Sequence, residues 1–385
     1  METEFTTPSG IITLKRFPEN KRELLRAWNT ADEYLLNHAM EPDNVARIGF
    51  SHCLTVNDQF GALSLGINTE KVTCWSDSKI AFDNIEKNAQ LNQQNISHLN
   101  LVPSTETPQG CFDLVLIQIP KNLSLLEYQL HQIQPLLAEN ALILSGGMIK
   151  HLPKSAIELV ANILGETTAQ LAWKKARVFN TRVETKINSA RESSTYQYRS
   201  YFKLEKTPFT IVNHPNVFSR QSLDIGTRLF LQNIPQGDYQ HIIDLGCGNG
   251  VVGLMAAQKN PDAKVTCTDE SYLATQSAKE TFTAAEEQGV TNSTAFLTQD
   301  CLTDTSGDTA DLILCNPPFH QQQTVGDHIT RRMFAQSKAA LRQKGELWIV
   351  GNRHLGYHVQ LKRLFGNCRT VASNKKFVIL KAVKR

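Results

Sequence analysis

Residues 315–320 read C-N-P-P-F-H directly behind the apolar run D-L-I-L. Two successive prolines give up two backbone donors and hold the chain extended and rigid. The side-chain carbonyl of Asn316 then stands beside a backbone carbonyl, a pair of acceptors suited to one planar NH2 group, and Phe319 can stack on the ring that carries it. Such acceptors cannot take a proton fully. They can turn a nitrogen lone pair toward an electrophile and stabilise positive charge growing on that nitrogen. A mere turn needs none of this, so Asn316, Pro317, Pro318 and Phe319 form the candidate catalytic set.

Upstream, the short apolar run H-I-I-D-L at 241–245 passes without a spacer into G-C-G-N-G at 246–250, and V-V-G-L-M-A-A-Q-K follows with helical character. Gly246, Gly248 and Gly250 let the backbone turn tightly and approach a ligand lying over a helix N-terminus. A spaced-glycine loop alone is weak, because dinucleotide enzymes use a related one. Asp244 tips the choice: its carboxylate would repel a pyrophosphate, whereas it would accept from an ammonium or orient the loop amides. Asp269 ends the next strand, where an acid meets a ribose diol. Asp300 ends the one after, where a carboxylate could accept from an adenine amine; strand-end acids are also routine loop formers.

These residues need a frame that brings strand ends together. Strand patterns at 241–245, 263–268, 293–300, 310–315, 345–351 and 377–383 alternate with helical ones at 251–259, 271–287, 328–342 and 355–366. Short connections between them predict a mostly parallel sheet with helices on both faces. The first half repeats this order in weaker form. C-L-T-V-N-D-Q-F-G-A-L-S-L at 53–65 stands in place of the glycine strand, K-V-T-C-W-S-D at 71–77 parallels K-V-T-C-T-D at 264–269, and F-D-L-V-L-I-Q-I-P-K at 112–121 parallels A-D-L-I-L-C-N-P-P-F. Helices at 123–137 and 153–164 and strands at 141–147 and 169–173 complete the copy. The fold class is therefore α/β, with two tandem Rossmann-like domains, the first degenerate. The first domain spans 1–190 and the second 191–385, joined by an aperiodic linker at 181–195 and opened by a hairpin at 198–213.

The copies differ where chemistry would sit. Val56-Asn57-Asp58-Gln59-Phe60-Gly61 replaces the glycine loop, with side chains expected to fill the space that glycines leave, and Gln118-Ile119-Pro120-Lys121 replaces N-P-P-F. The first domain is expected to bind without chemistry or to brace the second, using Lys174, Lys175 and Arg177 or the Lys121 stretch, and to hold no second cofactor.

Composition excludes several classes. A chain of 385 residues with 41% hydrophobic and 20% charged residues is too apolar for a disordered tail and long enough for two cores. The net charge of +3 permits nucleic acid without requiring it. Eight dispersed cysteines without a C-x-x-C pair fit reduced, buried thiols in a cytoplasmic protein and give no zinc pattern, so no metal is expected. An acidic N-terminus and the lack of any run of 18 apolar residues argue against export or a membrane span.

D-L-G-C-G-N-G at 244–250, Asp269 and N-P-P-F at 316–319 resemble the S-adenosylmethionine-dependent methyltransferases that modify amino groups. The duplicated architecture with a degenerate first copy resembles the ribosomal RNA guanine-N2 methyltransferases. Stretches such as A-D-E-Y-L-L at 31–36, L-A-W-K-K-A-R at 171–177, N-V-F-S-R at 216–220 and N-R-H-L at 352–355 are most similar to the large-subunit branch. This likeness, which covers essentially the whole chain, implies methyl transfer from S-adenosylmethionine to N2 of one guanine in 23S rRNA. It assigns Gly246, Gly248 and Gly250 to the methionine part, Asp269 to the ribose, Asp300 to the adenine edge, and Asn316 and Phe319 to the guanine. In this fold a short segment before the glycine strand closes over the methionine, which makes Asp224 and Thr227 further cofactor candidates; a helix cap explains them equally. Arg331, Arg332, Arg353 and His354 could meet phosphates, and His320 could line the base pocket. A duplicated chain can dispense with a dimer partner, so a monomer is expected.

Other functions compete. The small-subunit (16S) relative shares the motifs, and a protein glutamine amide asks for acceptors like those of a base amine. A nicotinamide-dependent oxidoreductase would leave N-P-P-F unused. An RNA-binding assembly factor without activity would need decay in the second site, and none is visible.

Overall fold

A computed structural model describes residues 2–19, 23–183, 197–318 and 324–385. The chain divides into two compact units, Met1–Tyr198 and Arg199–Arg385.

The first unit runs β1 (Glu4–Thr7), β2 (Gly10–Thr13), α1 (Thr30–Ala39), α2 (Pro42–Ile48), β3 (His52–Val56), β4 (Lys71–Ser76), α3 (Lys79–Leu91), β5 (Leu99–Pro103), β6 (Phe112–Gln118), α4 (Leu123–Ile133), β7 (Leu137–Met148), α5 (Lys154–Leu164), β8 (Thr167–Ala169) and β9 (Ala176–Thr181). The second runs β10 (Ser200–Lys203), β11 (Thr210–Asn213), α6 (Ile225–Gln232), β12 (His241–Leu245), α7 (Val251–Lys259), β13 (Lys264–Asp269), α8 (Tyr272–Glu286), β14 (Thr294–Thr298), β15 (Ala310–Cys315), α9 (Thr324–Ala340), β16 (Leu341–Asn352), α10 (Tyr357–Phe365), β17 (Arg369–Ser373) and β18 (Phe377–Val383).

Each unit contains a seven-stranded sheet, in the order β5-β4-β3-β6-β7-β9-β8 and β14-β13-β12-β15-β16-β18-β17. The first five strands of each order are parallel, β9 and β18 run opposite to them, and the edge strands β8 and β17 pair antiparallel with these. Strand order reverses beside β3 and β12, and an open sheet of this kind offers a crevice at such a reversal.

Alternation along the strands of the second sheet splits the core in two. Ile242, Leu312, Leu314, Trp348 and Val350 pack with Phe230 of α6, Val252 of α7 and Phe282 of α8 on one face. Ile243, Ile313, Cys315, Leu347 and Ile349 pack with Phe334 of α9 and Leu361 of α10 on the other. Both faces are dry, which is why these strands read as unbroken apolar runs.

The duplication extends to polar contacts that sequence motifs do not reveal. His52 Nε2 lies 3.0 Å from Thr73 Oγ1, and His241 Nε2 lies 2.9 Å from Thr266 Oγ1, in the matching register of the two sheets. Asp113 accepts from the amides of Ser51 and His52, and Asp311 from those of Gln240 and His241. Each sheet is preceded by a hairpin, β1–β2 or β10–β11, whose trailing chain is pinned to the helix after the second strand. Asn84 and Asn88 of α3 and its C-cap Asn92 accept from the amides of Phe17, Lys15 and Thr13 at 2.7, 2.9 and 2.7 Å. Ser277 and Thr281 of α8 accept from His214 and Val212 at 2.9 and 3.0 Å. Residues four apart share a helix face, so the ladder needs only that spacing.

Two expectations need correction. The closing strand of the first copy is not 169–173 but β9, paired with β7 and with β8. Lys174 and Lys175, at φ of 44° and 68°, form the two-residue turn of a hairpin in which Trp173 and Ala176 exchange backbone bonds of 3.0 and 2.8 Å. Lysines at two left-handed positions carry no turn signature, so nothing in the sequence marks this strand boundary. Strand β9 also reaches Thr181, the first residue assigned to the linker, and residues 184–196 lie outside the described residues.

Candidate active site

The glycine loop closes β12 through three left-handed residues, Gly246, Gly248 and Gly250, at φ of 74°, 54° and 76°. Their neighbours differ. A methyl group built on Gly248 would meet nothing within 4 Å, and one on Gly246 only Met333 Cε at 3.5 Å, whereas one on Gly250 would lie 2.9 Å from the Ala278 backbone. Two glycines therefore keep a crevice open, and the third lets α7 approach α8.

Carboxylates fix this loop from behind. Asp244 is 2% exposed, and its Oδ2 accepts from the Gly253 amide of α7 at 2.7 Å. This contact is to an amide of α7 rather than of the glycine loop, and it ties the end of β12 to the helix that follows. Burial pushes its carboxyl up to about 7, the Gly253 amide lowers it, and the nearby Asp269 raises it again. Asp269 accepts from the amides of Gly248 at 3.0 Å and Ser271 at 3.1 Å, and burial raises its carboxyl against those bonds. It ties the tip of the glycine loop to the end of β13. Asp300 is ion-paired with Arg332 of α9, which assigns that arginine to a partner inside the domain rather than to a free basic face.

Asp224 and Thr227 form one chain with Asn316. Asp224 caps α6, its Oδ1 accepting from the amides of Gly226 at 2.8 Å and Thr227 at 3.1 Å, as the helix-cap alternative requires. Its Oδ2 accepts from the Thr227 hydroxyl. A carboxylate here is the acceptor, so the single hydroxyl proton of Thr227 points at Asp224 and the hydroxyl oxygen is left to accept. Asn316 Nδ2 donates to that oxygen at 3.0 Å. The amide is thereby turned with nitrogen toward α6 and carbonyl away from it. That carbonyl, Asn316 Oδ1, is buried with no hydrogen-bond partner among the described residues. A buried acceptor left empty costs about 1–3 kcal/mol, which a ligand NH2 would recover. Pro317 is buried and Pro318 exposed; Phe319 and His320 lie outside the described residues.

Basic groups stand near the same strand ends. Arg353 and His354 are exposed directly after β16, and Arg331 is exposed on α9. Among the described residues, no group of His, Cys, Asp and Glu could hold a metal ion, and no helix is long and apolar enough to cross a membrane.

The same place in the first unit is filled. Asn57 occupies the position of Gly246, with φ of 63° and its amide on Trp75 O as that of Gly246 is on Thr268 O. Its Nδ2 donates to Gln118 O at 3.0 Å and to Gln129 Oε1 at 2.9 Å, while Gln129 Nε2 returns a bond of 2.8 Å. No helix follows β3; Asp58 instead gathers the amides of Phe60, Gly61, Leu63 and Ser64. Gln118, standing where the second copy has Asn316, donates to Asp32 of α1. Side chains fill what glycines leave open in the second unit, as the sequence led one to expect. Lys121, Lys174, Lys175 and Arg177 are exposed on this unit.

Two family models match the chain: the RLMG N-terminal domain over residues 2–185 and the methyltransferase small domain over residues 208–381. Curated relatives match throughout. The ribosomal RNA large subunit methyltransferase G of Pseudomonas paraeruginosa is 45% identical over 382 residues, and that of Ectopseudomonas mendocina 46% over 382, each match covering 99% of both chains. Among solved structures, the T. thermophilus 16S rRNA N2 methyltransferase in complex with AdoMet and guanosine superposes with a TM-score of 0.78. That match covers 100% of this chain and 98% of the other at 20% identity, which makes it a likeness of fold.

Proposed function

The chain belongs to the ribosomal RNA large subunit methyltransferase G family, and from that premise we propose that it methylates the exocyclic N2 amine of one guanine in 23S rRNA, with S-adenosylmethionine as donor. One observation carries the reading at the level of chemistry: the Asp224–Thr227–Asn316 chain reserves a buried amide carbonyl for an amine donor.

The second domain, 191–385, is the catalytic one. Its crevice suits the donor: Gly246 and Gly248 leave room at the backbone, Asp269 offers a carboxylate for a ribose diol, and Asp244 and Gly250 hold the loop and helix that frame it. Asp300 is assigned to the adenine edge by the family resemblance, and its ion pair with Arg332 supplies a counter-charge there. Bound there, S-adenosylmethionine supplies a methyl group made electrophilic by its sulfonium. Asn316 Oδ1 accepts one hydrogen of the guanine amine, orients the nitrogen lone pair and stabilises the positive charge that develops on it. Pro317 and Pro318 keep that acceptor from swinging away, and Phe319 stacks on the base. No general base is needed, because the amine proton becomes acidic once the nitrogen carries a fourth bond and leaves to solvent. The first domain, 1–190, binds RNA or braces the second, with Lys174, Lys175 and Arg177 as its phosphate contacts. The enzyme acts as a cytoplasmic monomer.

Methyl transfer from labelled S-adenosylmethionine to deproteinised 23S and 16S rRNA, followed by nucleoside analysis, tests this. N2-methylguanosine in 23S rRNA alone, abolished by Asn316→Ala, is the expected result. Label in 16S rRNA alone, or in protein glutamine, overturns it.

A further inference from the structure

Asn352 closes β16, is 5% exposed, and its Oδ1 is buried without a hydrogen-bond partner among the described residues. Three relations locate it. Strand alternation puts Trp348 and Val350 on the α6 face of the sheet, so Asn352 belongs to that face too. Across the ladder its partner is Phe377, whose ring would lie 2.8 Å from a methyl group built on Gly226 of α6. On the other side β16 pairs with β15, which ends at Cys315 opposite Ile349 and leads directly into Asn316.

Asn316 and Asn352 thus end adjacent strands on one face, beneath the same Gly226–Thr227 turn. From strand spacing and rise, their Cα atoms are about 8 Å apart. Both hold a buried amide carbonyl with no donor among the described residues. One unpaired buried acceptor is uncommon, and two side by side mark a place built for neighbouring donors. The glycine loop lies on β12, two strands away from β16 across β15, so Asn352 stands on the side of Asn316 remote from the donor crevice.

We propose that Asn352 is a specificity residue that accepts the ring N1–H of the target guanine while Asn316 accepts from N2. Guanine is the base with these two donors adjacent on one edge. The pairing selects it against adenine, whose ring nitrogen in that position is an acceptor and would face the Asn352 carbonyl without a proton. This inference rests on the guanine-N2 reading above.

The test is single-turnover methylation of 23S rRNA assembled by splint ligation, with either guanosine or 2-aminopurine riboside at the nucleotide mapped in the preceding experiment. 2-Aminopurine keeps the amine but accepts at N1. The wild type is expected to be at least tenfold slower on 2-aminopurine. Asn352→Ala should lose at least tenfold on guanosine and little on 2-aminopurine, because the missing contact is then shared; comparing both substrates in both proteins removes contacts to O6. Asn352→Asp retains an acceptor of the same shape and should keep the preference, which provides the answer if the alanine variant fails to bind S-adenosylmethionine by calorimetry. Equal losses on both RNAs in a folded alanine variant, or loss of the preference in a folded aspartate variant, overturn the proposal. Absence of any N2-methylguanosine with wild type on guanosine RNA condemns the underlying reading instead.

Discussion

Replacing Thr227 by valine removes one hydroxyl and nothing of its shape. The hydroxyl donates to Asp224 and accepts from Asn316 Nδ2 at 3.0 Å, so its loss leaves the amide nitrogen without its anchor. The capping bonds from the Gly226 and Thr227 backbone amides to Asp224 survive, and α6 should stay formed. A neutral hydrogen bond is worth about 1 kcal/mol net and a buried unpaired N–H costs about 1–3 kcal/mol. If the amide is held only by this bond, its carbonyl is free to rotate out of line. Turnover should then fall roughly tenfold, and at most about a hundredfold, at about 1.4 kcal/mol per decade. Stability should drop by about 1 kcal/mol, a shift of about 2–4 °C for a domain of this size. The assay is single-turnover methylation of 23S rRNA beside calorimetry with S-adenosylmethionine. Donor affinity should be unchanged, and Thr227→Ser, which restores the hydroxyl, should recover most of the rate. A weakened donor affinity with an intact rate would make Thr227 a cofactor contact; a rate within twofold of wild type would show that the amide needs no anchor.

Two further outcomes follow from the loop. Gly248→Ala, where a methyl group meets no protein atom, should weaken donor binding at least tenfold with a stability cost of about 1–2 kcal/mol for its left-handed backbone, whereas Gly250→Ala, where it meets the Ala278 backbone, should destabilise the second unit far more; melting and calorimetry on both variants distinguish the crevice from the packing contact. For Asp244, burial raises the folded carboxyl to about 7 from an unfolded value of about 3.9, so its contribution to stability is complete below about pH 4 and is lost as pH rises through 7. Asp244→Asn should therefore gain stability relative to wild type between pH 4 and 8 in thermal melts, and a pH-independent difference would refute the assignment.

Sequence pattern located what local chemistry encodes. The run Ala310–Cys315 formed the strand its apolar residues required, and the spaced glycines formed left-handed turns because only glycine enters that region without strain. Contacts between distant residues were not legible. Thr227 and Asn316 meet only because β15 ends beneath α6, and nothing in N-R-H-L at 352–355 shows which way the strand-end amide of Asn352 faces. The asparagines of α3 are poor helix formers by propensity, and their purpose emerges only when the backbone of Thr13–Phe17 is beside them. In the first copy the substitution of Asn57 for glycine was visible, whereas the loss of the following helix was not, since Asp58 organises that turn through amides rather than through any turn motif.

Asn57 and Gln129 occupy, in the first unit, the place that the glycine loop leaves open in the second. A place closed by tethered side chains is expected to gain nothing from added methyl donor. The second unit follows mass action, gaining about 2.7 kcal/mol when the free donor exceeds its dissociation constant a hundredfold. As donor becomes scarce, the second unit loses that increment and is expected to grow easier to unfold and to cleave. The lifetime of the enzyme is then coupled to the supply of its methyl donor.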